Sequence, residues 1–298
     1  MANKNILCER KAALGRPLVL DGAFGTLLQQ RNFKADKDLW YSGLSISYPE
    51  IVKKIHEEYI SNGADIIITN TFRTNPIAKR KSDIGITNAE LVKASVQLAT
   101  EARLFSNSKI LVVGSNAPAE DCYQGERTIS NFDIEYNHKK HIELLYESGC
   151  DIVWNETQSH MDEIEIICKF CFENSIPYSI NLYFDESLKI LSGEQIFDAV
   201  ELIKNYSPQS IGFNCVKVEL LEKYLDKYPL PTNFGFYFNC GISNVCESII
   251  GDTHSPTEYL ELIKKYINNS LLFVGSCCGS TPQHTAALKE YLNALYRN

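Results

Sequence analysis

An eightfold alternation of short apolar runs with amphipathic stretches of helical period constrains this chain most. The strand candidates are Leu18–Leu20, Asp65–Thr69, Ile110–Gly114, Asp151–Asn155, Tyr178–Tyr183, Ser210–Asn214, Asn233–Phe238 and Leu271–Gly275. Helical stretches lie around Pro49–Asn62, Asn88–Phe105, Asp133–Ser148, Met161–Asn174, Glu194–Asn205, Val218–Lys227, Thr257–Ile267 and Pro282–Leu295. Several of the apolar runs, such as Ile66-Ile67-Ile68, are continuous, as parallel strands covered on both faces are. Eight such units in 298 residues match an α/β fold of the (β/α)8 TIM-barrel type. A doubly wound sheet alternates similarly, and pattern alone separates the two poorly.

Boundary residues agree with this parsing. Gly63-Ala64 and Gly149-Cys150 stand between a helical stretch and the Asp that opens the next strand, where a helix-ending glycine belongs. Gly279-Ser280-Thr281-Pro282 offers a capping hydroxyl and a proline for the first helical turn. No Pro/Gly/Ser linker or charge block divides the chain, so residues 1–298 are expected to form one domain.

Composition narrows the partners. The formal net charge is −8 and the pI near 5.4, with no basic stripe to follow a phosphate backbone, so nucleic acid is not expected. The opening MANKNILCERKAALGRP lacks the apolar segment of a signal peptide. No stretch approaches the ~18 apolar residues that span a bilayer, so a cytoplasmic protein without membrane contact is expected. In a reducing compartment the ten cysteines read as buried small hydrophobes, metal ligands or nucleophiles. Cys277 and Cys278 are adjacent, with Cα atoms about 3.8 Å apart, closer than disulfide partners usually lie.

In a barrel, functional residues gather where strands end. Here the first strand ends in Asp21-Gly22-Ala23-Phe24-Gly25-Thr26, the second in Thr69-Asn70-Thr71-Phe72 and the fourth in Asn155-Glu156-Thr157. The sixth ends in Asn214-Cys215 and the eighth in Cys277-Cys278-Gly279. Cys215 and Cys277 can approach one metal, and a turn at Gly279 lets the Cys278 sulfur join them. A catalytic zinc site uses three protein ligands and keeps one position open. The competing reading is three buried cysteines packed as small hydrophobes. Asp21 and Glu156 facing one pocket would hold an ammonium, with glycine N–H groups beside them for a carboxylate. Asp21 alone also reads as a turn-forming residue, and an acid–base pair stays open because sequence does not set the separation.

Other cysteines and histidines carry less. Cys168 and Cys171 have CxxC spacing but fall inside a helical stretch. Cys8, Cys122, Cys150, Cys240 and Cys246 read as structural or incidental, with Cys240 the one to inspect because it follows a strand end. His138 and His141, flanking Lys139 and Lys140, read as a solvated helix face.

Taken together, these motifs resemble the homocysteine S-methyltransferase family of zinc-dependent barrels, which includes betaine–homocysteine methyltransferase and the homocysteine domain of methionine synthase. The resemblance rests on Asp21-Gly-Ala-Phe-Gly-Thr26, Gly63-Ala-Asp-Ile-Ile-Ile-Thr-Asn-Thr-Phe72, Glu156-Thr157, Gly212-Phe-Asn-Cys215 and Gly275-Ser-Cys-Cys-Gly-Ser-Thr-Pro282. It implies zinc on Cys215, Cys277 and Cys278. It also implies a homocysteine ammonium at Asp21 and Glu156, its carboxylate near the backbone of Gly22 and Ala23, and Thr71 beside the substrate. The implied reaction gives methionine, with S-methylmethionine or S-adenosylmethionine as donor. One alternative is a homocysteine-binding subunit that takes its methyl group from a separate corrinoid protein; another is a barrel with structural cysteines and no such activity. A monomer or weak dimer is expected. Two departures stand out. Gly275-Ser276 replaces a usual glycine pair, and the loop from Gly114 to Tyr123 looks short and differs from the commoner Ser-Ile-Gly-Pro type, which bears on the donor more than on zinc.

Overall fold

The strand candidates assemble into one parallel sheet. The structure is a computed structural model that describes residues 4–106, 109–242 and 251–297; Cys246 and the outermost residues of the expected 1–298 domain lie outside them. The strands are β1 (Leu18–Val19), β2 (Ile66–Ile68), β3 (Leu111–Asn116), β4 (Ile152–Gln158), β5 (Tyr178–Leu182), β6 (Ser210–Asn214), β7 (Phe234–Phe238) and β8 (Phe273–Ser276). Their order is β1-β8-β7-β6-β5-β4-β3-β2. A parallel bridge between Leu20 and Ile66 joins the two ends, so the sheet closes as a (β/α)8 barrel rather than a doubly wound sheet.

The first strand is shorter than Leu18–Leu20 because its last residues serve two neighbours. The Leu20 N–H donates to Val274 O of β8 at 2.9 Å, and the Asp21 N–H to Ile66 O of β2 at 3.0 Å. β4 runs further than expected, through an irregularity in its pairing with β5 between Asn155 and Gln158. Short helices at Ile6–Leu14, Phe24–Gln30, Leu44–Ser47 and Pro76–Lys81 escape a periodicity reading because about two and a half turns or fewer show little repeat. The expected boundaries hold: Gly63 and Gly149 adopt φ of +99° and +100°, and Thr281 precedes a helix that starts with Pro282.

Inside the barrel, Leu18, Ile66, Leu111, Ile152, Trp154, Tyr237 and Phe273 form a packed layer. Phe273 fills the centre so closely that a Cβ at Gly235 would lie 2.4 Å from its ring. Leu7, on the N-terminal helix, is buried in this same cluster together with Leu18 and Leu272 at the strand starts, so that helix covers the N-terminal end of the barrel. The other end stays open for a site. Outside, buried faces of the surrounding helices pack on the strands, including Ile142 and Leu145, Ile164 and Ile167, and Leu288 and Leu292.

Asp65 ties the strand starts together. It accepts from Arg16 at 2.7 and 3.0 Å, from the Val19 N–H at 2.9 Å and from Lys289 at 3.1 Å. Burial works to raise its pKa, but Arg16, Lys289 and the Val19 N–H outweigh burial and hold the carboxyl below its ordinary value. A depressed carboxylate stabilises the fold above its unfolded pKa and loses that contribution as pH falls through the folded value. Asp65→Ala leaves a buried guanidinium unpaired and should lower stability by about 3–5 kcal/mol, read by denaturant unfolding at neutral pH. A loss below ~1 kcal/mol would contradict this role.

Candidate metal and substrate site

A cavity of about 950 Å³ opens at the C-terminal ends of the strands. Its wall includes Asp21, Gly22, Ala23, Glu156, Cys215, Cys277 and Cys278. The sulfurs of Cys215 and Cys278 are 3.5 Å apart, those of Cys277 and Cys278 4.0 Å, and all three lie within 4.8 Å of one another. Backbone geometry aims them. Cys215 sits at φ 56°, a left-handed conformation uncommon outside glycine, which swings its sulfur off the line of β6. Gly279, at φ +87°, turns the chain after Cys278 so that the adjacent side chains of Cys277 and Cys278, just past β8, converge.

This donor set fits zinc. Tetrahedral bonds of about 2.3 Å would separate thiolate sulfurs by ~3.8 Å, between the 3.5 and 4.0 Å of two pairs here, with the third pair within 4.8 Å. Hydrogen bonds from Cys277 and Cys278, with a further one from Tyr123, hold the Cys215 thiol well below its ordinary pKa. Hydrogen bonding to Cys215 pushes Cys277 and Cys278 well above their ordinary value, so three thiolates together call for a cation among them.

The two acids share the cavity. Asp21 Oδ2 accepts the Ile68 N–H at 2.8 Å, while its Oδ1 is buried without a hydrogen-bond partner among the described residues. Burial raises its pKa well above the ordinary range against the pull of the Ile68 N–H, and Glu156 adds to the rise. Glu156 accepts from Ser115 Oγ and, at 3.1 Å, from Tyr237 Oη, which itself accepts from Trp154 Nε1 at 3.0 Å. Burial lifts Glu156 to about 7 despite these bonds. Two buried carboxyls, one oxygen unpaired among the described residues, are suited to a buried cation, whose charge would offset the cost of ionising them.

The two rims are tied to each other. The Ala23 N–H donates to Ser280 Oγ at 2.9 Å, and the Gly279 N–H to Thr26 Oγ1 at 3.0 Å. The turn that carries Asp21 is thereby pinned to the turn that carries Cys277 and Cys278, and the Ala23 N–H is taken from the groups a ligand can use. Gly22 fits where no side chain would: a Cβ there would come within 2.5 Å of Ser280 Oγ. Thr71 does not line the cavity. Its hydroxyl donates to Ser115 O at 2.9 Å and contacts Thr69 Oγ1 at 2.7 Å, bracing β2 against β3.

Sequence reasoning missed the second layer. Asn214 Oδ1 accepts the Thr157 N–H at 2.8 Å, and its Nδ2 donates to Thr157 Oγ1 at 3.0 Å, so the β6 end fixes the left-handed residue after Glu156. Tyr123, in the loop over residues 117–130, donates its hydroxyl to Cys215 Sγ at 3.3 Å. That loop therefore touches the sulfur cluster as well as the open side of the cavity, and Cys122, read as structural or incidental, lines the cavity too. Cys240 is buried and its N–H donates to Cys278 O at 2.8 Å, while Cys168 and Cys171 are buried in helix packing. Neither place adds a sulfur to the cluster.

His138 and His141 correct an expectation. Both are fully buried, because helical period places them with Ile134 and Leu145 on the face turned to the sheet. Lys139 and Lys140 occupy the outer face between them. Asn116 binds both rings, His141 contacts Thr74 Oγ1 at 2.8 Å, and His138 pairs with Glu163. Burial opposes the charge on Glu163, yet His138 and Arg127 hold it down at about 2. Glu163 also accepts the Ala119 N–H at 2.8 Å, so this network anchors the loop that carries Tyr123.

The sequence model of the homocysteine S-methyltransferases matches residues 18–292. The chain belongs to the homocysteine S-methyltransferase family. Homocysteine S-methyltransferase of Escherichia coli strain K12 is 27% identical over 297 residues, covering 91% of this chain and 94% of that protein. Betaine-homocysteine S-methyltransferase of Drosophila melanogaster is 27% identical, with 93% and 95% covered. Among solved structures, the metallated form of the homocysteine methyltransferase MmuM from Escherichia coli superposes with a TM-score of 0.76 at 26% identity, covering 95% of this chain and 99% of that one. No helix among the described residues of this family member is long and apolar enough to cross a membrane.

Proposed function

We infer that this chain makes methionine by moving a methyl group from a small sulfonium donor, S-methylmethionine or S-adenosylmethionine, to the thiol of homocysteine, with zinc on Cys215, Cys277 and Cys278. One observation carries the reading: three cysteine sulfurs converge in the same cavity as a buried carboxylate oxygen that has no hydrogen-bond partner among the described residues. Zinc held there would supply the substrate sulfur as a thiolate at neutral pH, where a free thiol of pKa ~8.5 is mostly protonated.

The chain's own residues position the reactants. Asp21 Oδ1 and Glu156 accept the ammonium of the amino acid, and Ser115 and Tyr237 hold Glu156 in place. The Gly22 turn lies beside them for the substrate carboxylate, and Thr71 supports the wall from behind. Anchoring the amino-acid end at β1 and β4 directs the thiol toward β6 and β8, where the cysteines are. Phe24, Trp40 and Phe72 line the cavity, and their ring faces attract a sulfonium cation.

The test is methionine formation by zinc-reconstituted protein given homocysteine and each sulfonium in turn, read by mass spectrometry. Methionine from either donor supports the reading. Methionine only from a methylated corrinoid protein would replace the donor, and none from any of them would overturn the activity.

A further inference from the structure

We propose that Tyr123 shields Cys215 from methylation, so that the methyl group goes to the substrate's sulfur and not to a cysteine of the site. This rests on the function proposed above. A site that methylates a thiolate exposes its own cysteine sulfurs to the same electrophile. Attack draws on a sulfur lone pair, and a hydrogen bond to that sulfur must weaken as its charge leaves, which raises the barrier.

The donors are unevenly shared. Tyr123 Oη donates to Cys215 Sγ at 3.3 Å and Asn239 Nδ2 at 3.6 Å. The amide of Asn239 is oriented by its own Oδ1, which accepts the Gly241 N–H at 2.7 Å and leaves the NH2 group facing the sulfur. Among the described residues, the side-chain hydrogen bonds of the Cys277 and Cys278 sulfurs are with each other and with Cys215. Tyr123 is held in place from two sides. Its ring meets Tyr183 edge-on at 5.1 Å, and its loop is anchored through Glu163. Tyr123 therefore acts through Cys215, as a positioning residue.

The test uses iodomethane as a small methyl electrophile on zinc-reconstituted wild type and Tyr123→Phe, with methylation at each cysteine counted by peptide mass spectrometry. In the reaction counted, the Cys215 sulfur forms an S–CH3 bond as the C–I bond breaks and iodide leaves with the electron pair. Phenylalanine keeps the packing on Tyr183 and removes only the hydroxyl. We expect Cys215 methylation to rise about tenfold relative to Cys277 and Cys278, which is ~1.4 kcal/mol of barrier. Asn239→Ala should give a smaller rise in the same ratio, as its longer contact implies. A ratio that stays constant, or three cysteines rising together, would overturn the proposal, since loosened packing exposes all of them alike. Metal content is measured on the same samples. Protein that takes up no zinc would sink the zinc reading, while the Cys215 ratio still reports the hydrogen bond, which needs no metal.

Discussion

Cys215→Ala should abolish metal binding and lower methyl transfer by roughly 10³-fold or more. Two losses combine. At neutral pH a free thiol of pKa ~8.5 is only about 3% thiolate, which costs ~30-fold. Losing the fixed position of the substrate sulfur removes on the order of a further 10²-fold. The fold itself should survive, because Cys215 occupies the rim and not the layer of Trp154 and Phe273 that fills the barrel. Relief of its left-handed backbone does not follow, since alanine bears the same Cβ. The checks are metal analysis, methionine formation and circular dichroism on one preparation. Stoichiometric zinc in the variant would remove Cys215 from the ligand set.

Glu156→Gln separates function from stability. With the carboxylate gone, a buried ammonium keeps Asp21 alone, and kcat/KM for homocysteine should fall by about 10²–10³-fold, as for truncating one partner of a buried charge pair. In wild type, homocysteine binding should strengthen as pH rises through about 7, where Glu156 ionises. The variant should lose that inflexion. Stability moves the other way. A carboxyl raised in the fold contributes stability below its unfolded pKa and loses it as pH rises through its folded value. From an ordinary 4.5 to about 7, the difference is on the order of 3 kcal/mol. Ligand-free Glu156→Gln should therefore be more stable than wild type at pH 8 and nearly equal to it at pH 4, read by urea unfolding. Equal stability at both values would show that Glu156 is not strained by burial.

The largest-effect positions were legible because each falls at or near the C-terminal end of a strand. The period of the chain placed Asp21, Glu156, Cys215 and the Cys277-Cys278 pair at strand ends, and parallel strands put all their ends on one rim. Thr71 sat on that rim by the same logic, yet alternation at the end of β2 sends its hydroxyl to the β3 backbone. His138 and His141 were misread because the adjacent lysines suggested a solvated face, whereas the spacing to Ile134 and Leu145 set the buried one. Short helices such as Leu44–Ser47 had too few turns to register a period.

Local chemistry along the chain thus determined the eight strand–helix units and the strand ends near which the acids and cysteines stand, while barrel or doubly wound sheet was left to the Leu20–Ile66 bridge. Only closure of the barrel decided that three sulfurs approach within 4.8 Å, that Asp21 keeps an oxygen unpaired among the described residues, and that Tyr123 reaches Cys215 across 92 residues of chain. Periodicity reports which face of a segment is buried. Distances between segments depend on the stagger and tilt of the whole sheet, which no single segment encodes.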